Sequence, residues 1–214
     1  SPTVGAVTVK ANAEQDASSI AVGFNTGSVG LNVFQATTEA YVDGGALTAA
    51  SLTVNANNNT GIFSANGSGA YGSQAAIGAA FLVQVSSNRT LAYVGDEFHY
   101  QGNGAAHTTA LNLSGALDVE AKTKNRFEAY AIGGALSTGT AAIAGMANIE
   151  VANNTTIAGV YDTTLQGVTG GTAGAVTINA NEDVAIKEIA GALAVGASGA
   201  GVGVGAAANV IAFK

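Results

Sequence analysis

The sequence predicts an all-β chain built as a parallel β-solenoid of about three and a half imperfect repeats, and three observations lead there. A short alternating phrase comes round four times: Val7-Thr8-Val9-Lys10-Ala11-Asn12, Leu52-Thr53-Val54-Asn55-Ala56-Asn57, Leu117-Asp118-Val119-Glu120-Ala121-Lys122 and Val176-Thr177-Ile178-Asn179-Ala180-Asn181. A second phrase keeps step with it: Thr37-Thr38-Glu39-Ala40-Tyr41-Val42, Arg89-Thr90-Leu91-Ala92-Tyr93-Val94 and Thr155-Thr156-Ile157-Ala158-Gly159-Val160. Between the two lies a Gly/Ala-rich stretch in every copy. Internal repetition at such a period marks an array whose units bury their apolar faces against one another.

Each element has its own signal. In the first phrase Val7, Val9 and Ala11 oppose Thr8, Lys10 and Asn12, which is the period-two pattern of a strand with one buried face. Asn-rich endings such as Asn57-Asn58-Asn59 suit turns. The small-residue zones cover 21–30, 61–80, 130–147 and 189–208. The last contains Gly199-Ala200-Gly201-Val202-Gly203-Val204-Gly205. Each glycine inside a helix costs about 1 kcal/mol relative to alanine, so these zones read as one or two closely stacked strands with glycine corners. A third part carries Leu31-Asn32-Val33-Phe34, Phe81-Leu82-Val83-Gln84-Val85 and Ile149-Glu150-Val151, and starts again at Asn209-Val210-Ile211.

The first phrase begins at residues 7, 52, 117 and 176, so the units run 45, 65 and 59 residues. Three to four short strands fit in each, which predicts two to three coils per unit. At about 4.8 Å per coil the rod would be about 40–50 Å long. The unit boundaries fall near 6–50, 51–110, 111–174 and 175–214, and the Ser1-Pro2 start reads as a segment excised from something longer. A propeller is the competing topology, but its aromatic and Trp-Asp signatures are missing.

Composition excludes several function classes. Of 214 residues 30 are glycine, none is cysteine, and only 10% are charged. At 48% hydrophobic the chain should fold, with alanine filling a narrow interior. A net charge of −7 offers no basic stripe for phosphates or for an anionic membrane surface. Without cysteine there is neither a disulfide nor a thiolate metal site. No phosphate loop, nucleophile elbow or zinc-protease helix is spelled out. Gly67-Ser68-Gly69-Ala70-Tyr71-Gly72 fits a dinucleotide fingerprint only by the abundance of glycine, and no cofactor is implied.

Asn88-Arg89-Thr90-Leu91-Ala92-Tyr93-Val94-Gly95-Asp96, with the Val-x-Val-x-Ala-Asn phrase and the Gly/Ala tract before it, resembles the repeats of large bacterial filamentous adhesins, the leukotoxin-type and filamentous-haemagglutinin-like proteins. That resemblance spans nearly the whole chain. It implies a right-handed parallel β-helix, export to the bacterial cell surface, and a role in attachment, biofilm or host-cell contact. It brings no catalytic residues.

The largest departure from the repeat is 95–110, which holds both histidines and should protrude as a loop or short hairpin. Tyr41, Tyr93, Phe98, His99 and Tyr100 are the expected contact residues for a host or matrix partner, protein or glycan. The other long connection, 161–174, reads as a plain Thr/Gly loop. Gly159 stands where two copies have tyrosine. The Thr phrases would stack as an outward ladder. Sequons occur at Asn58, Asn66, Asn88, Asn112, Asn153 and Asn154.

Two rival functions remain. A carbohydrate-active β-helix enzyme would need carboxylates converging in a groove, from Asp118 with Glu120, Asp96 with Glu97, or Glu182 with Asp183. A membrane-active cytotoxin module would use the uncharged stretch from Ile189 to Phe213, long enough to cross a bilayer. Homology of that stretch to the other small-residue zones places it in a buried coil instead. The expected partners are the neighbouring repeats of the same protein; nucleic acid is excluded.

Overall fold

The computed structural model describes residues 4–25, 27–102, 107–168 and 173–213, and the side chains of His99 and Tyr100 lie outside the description. The chain is an all-β parallel solenoid of four coils. Each coil lays one long strand in one sheet, turns, and returns with a second long strand in a facing sheet. The first sheet, called A, holds β1 (Val4–Phe24), β3 (Ala46–Gly72), β6 (Leu117–Ser137) and β9 (Val176–Gly196) in that spatial order. The second, B, holds β2 (Ser28–Val42), β4 (Ala75–Gly95), β7 (Ala141–Tyr161) and β10 (Ala200–Phe213). Two short strands, β5 (Thr109–Leu113) and β8 (Thr163–Gly167), extend sheet A beside the start of β3. A single helical turn, α1 (Glu97–Tyr100), interrupts the passage from β4 to β5.

Each repeat unit is therefore one coil, not two or three. Strands of 21 residues reach roughly 70 Å at about 3.3 Å per residue, while four stacked coils are only about 19 Å deep. The molecule is a long thin slab rather than a 40–50 Å rod. The expectation failed because in-strand glycines were read as corners. They mark instead where the two sheets come too close for a side chain: a Cβ on Gly203 would sit 2.5 Å from the Ala192 carbonyl oxygen, and one on Gly78 would sit 2.7 Å from that of Gly134.

The repeat phrases fall in register. Val7, Val9 and Ala11 align with Leu52, Val54 and Ala56, then with Leu117, Val119 and Ala121, all on the inner face of sheet A. With Ala92, Val94, Leu111 and Leu113 they form the main apolar core at one end of the slab. We call this the base. It is turned by Gly44 and Gly45, both with positive φ, and by Asp162 alone between β7 and β8. At the far end, where the chain leaves sheet A after Phe24, Gly72, Ser137 and Gly196, the interior holds Ala70, Ala76, Ala135, Ala142 and Ala144. The slab is thick where leucine fills it and thin where alanine and glycine do.

Two sequence expectations change here. The 161–174 connection is not a plain loop, since β8 within it pairs with β5. The Thr ladder points inward, with Thr90 and Thr156 buried and aligned.

Candidate functional site

Three arrangements of polar or aromatic side chains stand out from the scaffold. The first is on the outer face of sheet B at the base, where most of the expected contact residues fall. Tyr41 and Tyr93 are register partners, so their rings stack 5.0 Å apart and nearly parallel. Tyr161 meets Tyr93 at 6.5 Å with its ring tilted by 60°, although the register partner of Tyr93 is Gly159. The ring of Tyr161 folds back over Gly159, where any Cβ would collide with it. That contact explains the missing third tyrosine: the aromatic ladder is kept by a residue two places on. Burial, and then the carboxylates of Glu39 and Glu97, push the Tyr93 phenol up to about 12.

Helix α1 lies against this ladder instead of projecting freely. Arg89 Nη1 bonds Glu39 Oε1 at 2.6 Å, its Nη2 reaches Glu97 Oε1 at 3.5 Å, and Gln101 Nε2 donates to the same oxygen. Asp96 and Glu97 are buried while Phe98 is 64% exposed. His107 is pinned between two carboxylates, Nε2 to Asp43 Oδ2 at 2.8 Å and Nδ1 to Asp96 Oδ2 at 2.6 Å, and its backbone N–H donates to Asp96 as well. With a carboxylate facing each ring nitrogen, His107 ties the β4–β5 passage to the base turn. Asp43, Asp96 and His107 each offer a ligand atom within 4.8 Å of the others, a set able to hold a metal ion. Of the expected contacts, Tyr41, Tyr93 and Phe98 are thus brought to one end of the slab; His99 and Tyr100 fall on side chains outside the description.

The second arrangement is a shallow pocket of about 320 Å³ on the outer face of sheet A, lined by Asp16, Gly61, Phe63, Arg126 and Glu128 among others. Gly61 leaves the hollow and Asp16 leans over it. Phe63 and Tyr130 meet at 5.7 Å beside it, and the Lys187 ammonium sits 5.5 Å from the Tyr130 ring centre. Sequence reading missed this pocket because its residues come from three different coils, joined only by register.

The third is inside. Asn88 Nδ2 donates to Asn125 Oδ1 at 2.9 Å, and Asn125 Nδ2 donates to Asn154 Oδ1 at 3.0 Å. Asn154 then donates to Glu182. Beside it, Thr156 donates to Thr123 at 2.8 Å and Thr123 to Thr90 at 2.7 Å. Such a ladder carries hydrogen bonds between buried amides across coils, with Asn125 both giving and accepting, while the Asn88 side-chain oxygen has no partner among the described residues. Four of the sequons, at Asn58, Asn66, Asn88 and Asn154, are on this inner face and closed to a modifying enzyme. Further along, Gln84 and Glu150 align, both fully buried, with no hydrogen-bond partner for either side chain among the described residues. Burial, and then the nearby Glu188, raise the Glu150 carboxyl to about 8. Burial raises Glu182 against hydrogen bonds from Asn154 and Thr156, and burial raises Glu188 as well.

The carboxylate pairs considered for catalysis separate in the fold. Asp118 and Glu120 share the outer face of sheet A, where Glu120 accepts from Asn55 at 2.8 Å and pairs with Lys122 at 2.6 Å. Glu182 lies in the interior ladder, and Asp183, next in the chain, takes the opposite face of the strand. No helix among the described residues is long and apolar enough to cross a membrane. No family model, no curated protein and no solved structure matches this chain.

Proposed function

We propose that this chain is a structural and adhesive segment of a secreted bacterial surface adhesin, one that spaces and presents contact surfaces for attachment to host cells, matrix or other bacteria. The observation that carries this reading is the unbroken parallel register through four coils. Each coil templates the next, so the fold propagates reach and stiffness while departures from the repeat are displayed at its edges and faces. The displayed chemistry suits recognition: an aromatic ladder of Tyr41, Tyr93 and Tyr161, an exposed Phe98, and the pocket of Asp16, Phe63, Arg126 and Glu128, where an aromatic surface adjoins hydrogen-bonding charges as in sites that take sugars or polar peptides. An enzyme of this architecture would draw its carboxylates together in one groove; Glu120 instead bonds to Asn55 and Lys122 on an open face that it shares with Asp118.

The test is a glycan-array and host-cell binding screen of the chain. It is run beside a version whose residues 96–107 are cut to a short Gly/Ser turn and a second version carrying Arg126→Ala. Binding that is lost with either change identifies the corresponding surface as adhesive. If no version binds glycan or cell, the adhesive part of the reading falls and a purely spacing role remains. Hydrolysis or lysis of any polysaccharide on the array would overturn the reading altogether.

A further inference from the structure

Charge is divided between the two ends of the slab. No Asp, Glu, Lys or Arg occurs in 17–38, 44–88, 129–149 or 189–213. The fold gathers most of these stretches at the thin end, where the chain leaves sheet A after Phe24, Gly72, Ser137 and Gly196. There the outer face of sheet A carries Ile20, Val22, Phe24, Tyr71, Ile132, Leu136, Ile189, Leu193 and Val195, all exposed, Val22 to 79% and Leu193 to 69%. An uncharged apolar surface of this extent marks an interaction site.

The same face contains hollows that the chain does not need for itself. Gly69 and Gly134 are register partners and floor a trough of about 540 Å³ walled by Phe24, Tyr71, Leu136 and Leu193. Around Gly191, on the neighbouring strand, a Cβ would meet nothing within 4 Å, and around Gly134 it would come no closer than 3.9 Å to the Leu193 carbonyl. Neither has a positive φ. Glycine inside a strand costs roughly 0.5–1 kcal/mol relative to alanine. Here neither internal packing nor backbone conformation requires it, which leaves the hollows open to something outside the coil.

We propose that the occupant is a second copy of this chain, packed face to face through the thin end of sheet A, with the side chains around one trough filling the glycine hollows of the other. Knobs and hollows on one surface are what an isologous two-fold contact requires. Four strands at about 4.8 Å and some nine residues at about 3.3 Å give roughly 570 Å² per copy, or about 1,100 Å² in total. That area is close to the lower bound of a stable interface. Hydrocarbon is the poorer occupant. A fluid acyl phase gains nothing from fixed hollows, whereas a second protein surface can fill them.

Sedimentation equilibrium from about 1 to 100 µM reads the association. The native chain should form dimers in this range. Gly134→Leu with Gly191→Leu fills the hollows and should weaken dimerisation at least tenfold without lowering the thermal unfolding midpoint. Ile132→Lys with Leu193→Lys, both outward-facing, should abolish it. Gly145→Leu, on the outer face of sheet B with equally open space around it, should leave it unchanged. Flotation with phosphatidylcholine vesicles separates lipid from protein as the occupant, since added leucines strengthen lipid binding but weaken an interdigitated contact. A native chain monomeric at 100 µM would overturn the proposal. So would a leucine double variant that associates normally, or one that floats with vesicles more strongly than the native chain.

Discussion

Glu150 sits fully buried with Glu188 nearby, and burial, then that second carboxylate, raise its carboxyl from 4.5 to about 8. The folded state therefore holds a proton that the unfolded chain releases. Its contribution to stability is complete below about pH 4.5 and is lost as pH rises to about 8; Glu182 and Glu188, raised in the same direction, add to the slope. A tenfold preference for the protonated form is worth about 1.4 kcal/mol, so the whole effect is on the order of a few kcal/mol. Chemical denaturation at pH 5 and pH 8.5 should show the chain more stable in acid, and Glu150→Gln should flatten much of that difference. A steeper slope in the variant would contradict the assignment. Gly159 offers a second test at this scale. Gly159→Tyr restores the repeat phrase yet collides with the Tyr161 ring, so it should destabilise by about 1–3 kcal/mol, the usual range for overpacking. Adding Tyr161→Ala should recover most of the loss and return the near-ultraviolet tyrosine signal, because one ring then takes the place of the other. Equal effects of the single and double changes would show that the two residues are not coupled.

Among elements, the interior amide ladder sets which strands must stay in phase. Asn125 on β6 accepts from Asn88 on β4 and donates to Asn154 on β7, joining both sheets and two coils. A shift of one residue in any strand would turn its amide outward and leave the partners buried without bonds. Asn125→Ala should thus cost about 2–4 kcal/mol in urea denaturation, more than removal of a single hydrogen bond, because two buried amides each lose a bond at once. A loss below about 1 kcal/mol would mean the ladder closes by other contacts. The first phrase of the repeat was legible in sequence as a strand because period-two alternation needs only neighbours in the chain. The pocket of Asp16, Phe63, Arg126 and Glu128 was not, since three coils build it. The departure from the repeat at 95–110 was legible in sequence, but its docking on Arg89 of β4 and on Asp43 of the base turn was not, since only the fold brings those groups to it.

For the whole molecule, the order of the coils implies an order of stability. β3 and β4, like β6 and β7, have a strand on each side, whereas the strands of the outer coils have one neighbour only, and the inner residues of β10 stay exposed. Repeat architectures gain much of their stability from such neighbour interfaces. Amide hydrogen exchange should be slowest in β3, β4, β6 and β7 and markedly faster in β9 and β10. Uniform protection across all four coils would point to a single cooperative block. The sequence by itself determined that the chain is all-β, that its strands recur in phase, and that the phrases at 7, 52, 117 and 176 stack with Val, Leu and Ala inward. The tertiary structure decided the length of a coil and the side on which each remaining face lies. Alternation separates two faces of a strand without saying which is inside. At the thin end Ser64, Asn66, Gln84 and Asn148 are buried while Ile132, Leu193 and Val204 are exposed. Hydrophobicity there points away from the interior. Only register carried across from the base, where leucine and valine fix the inward side, decides the matter.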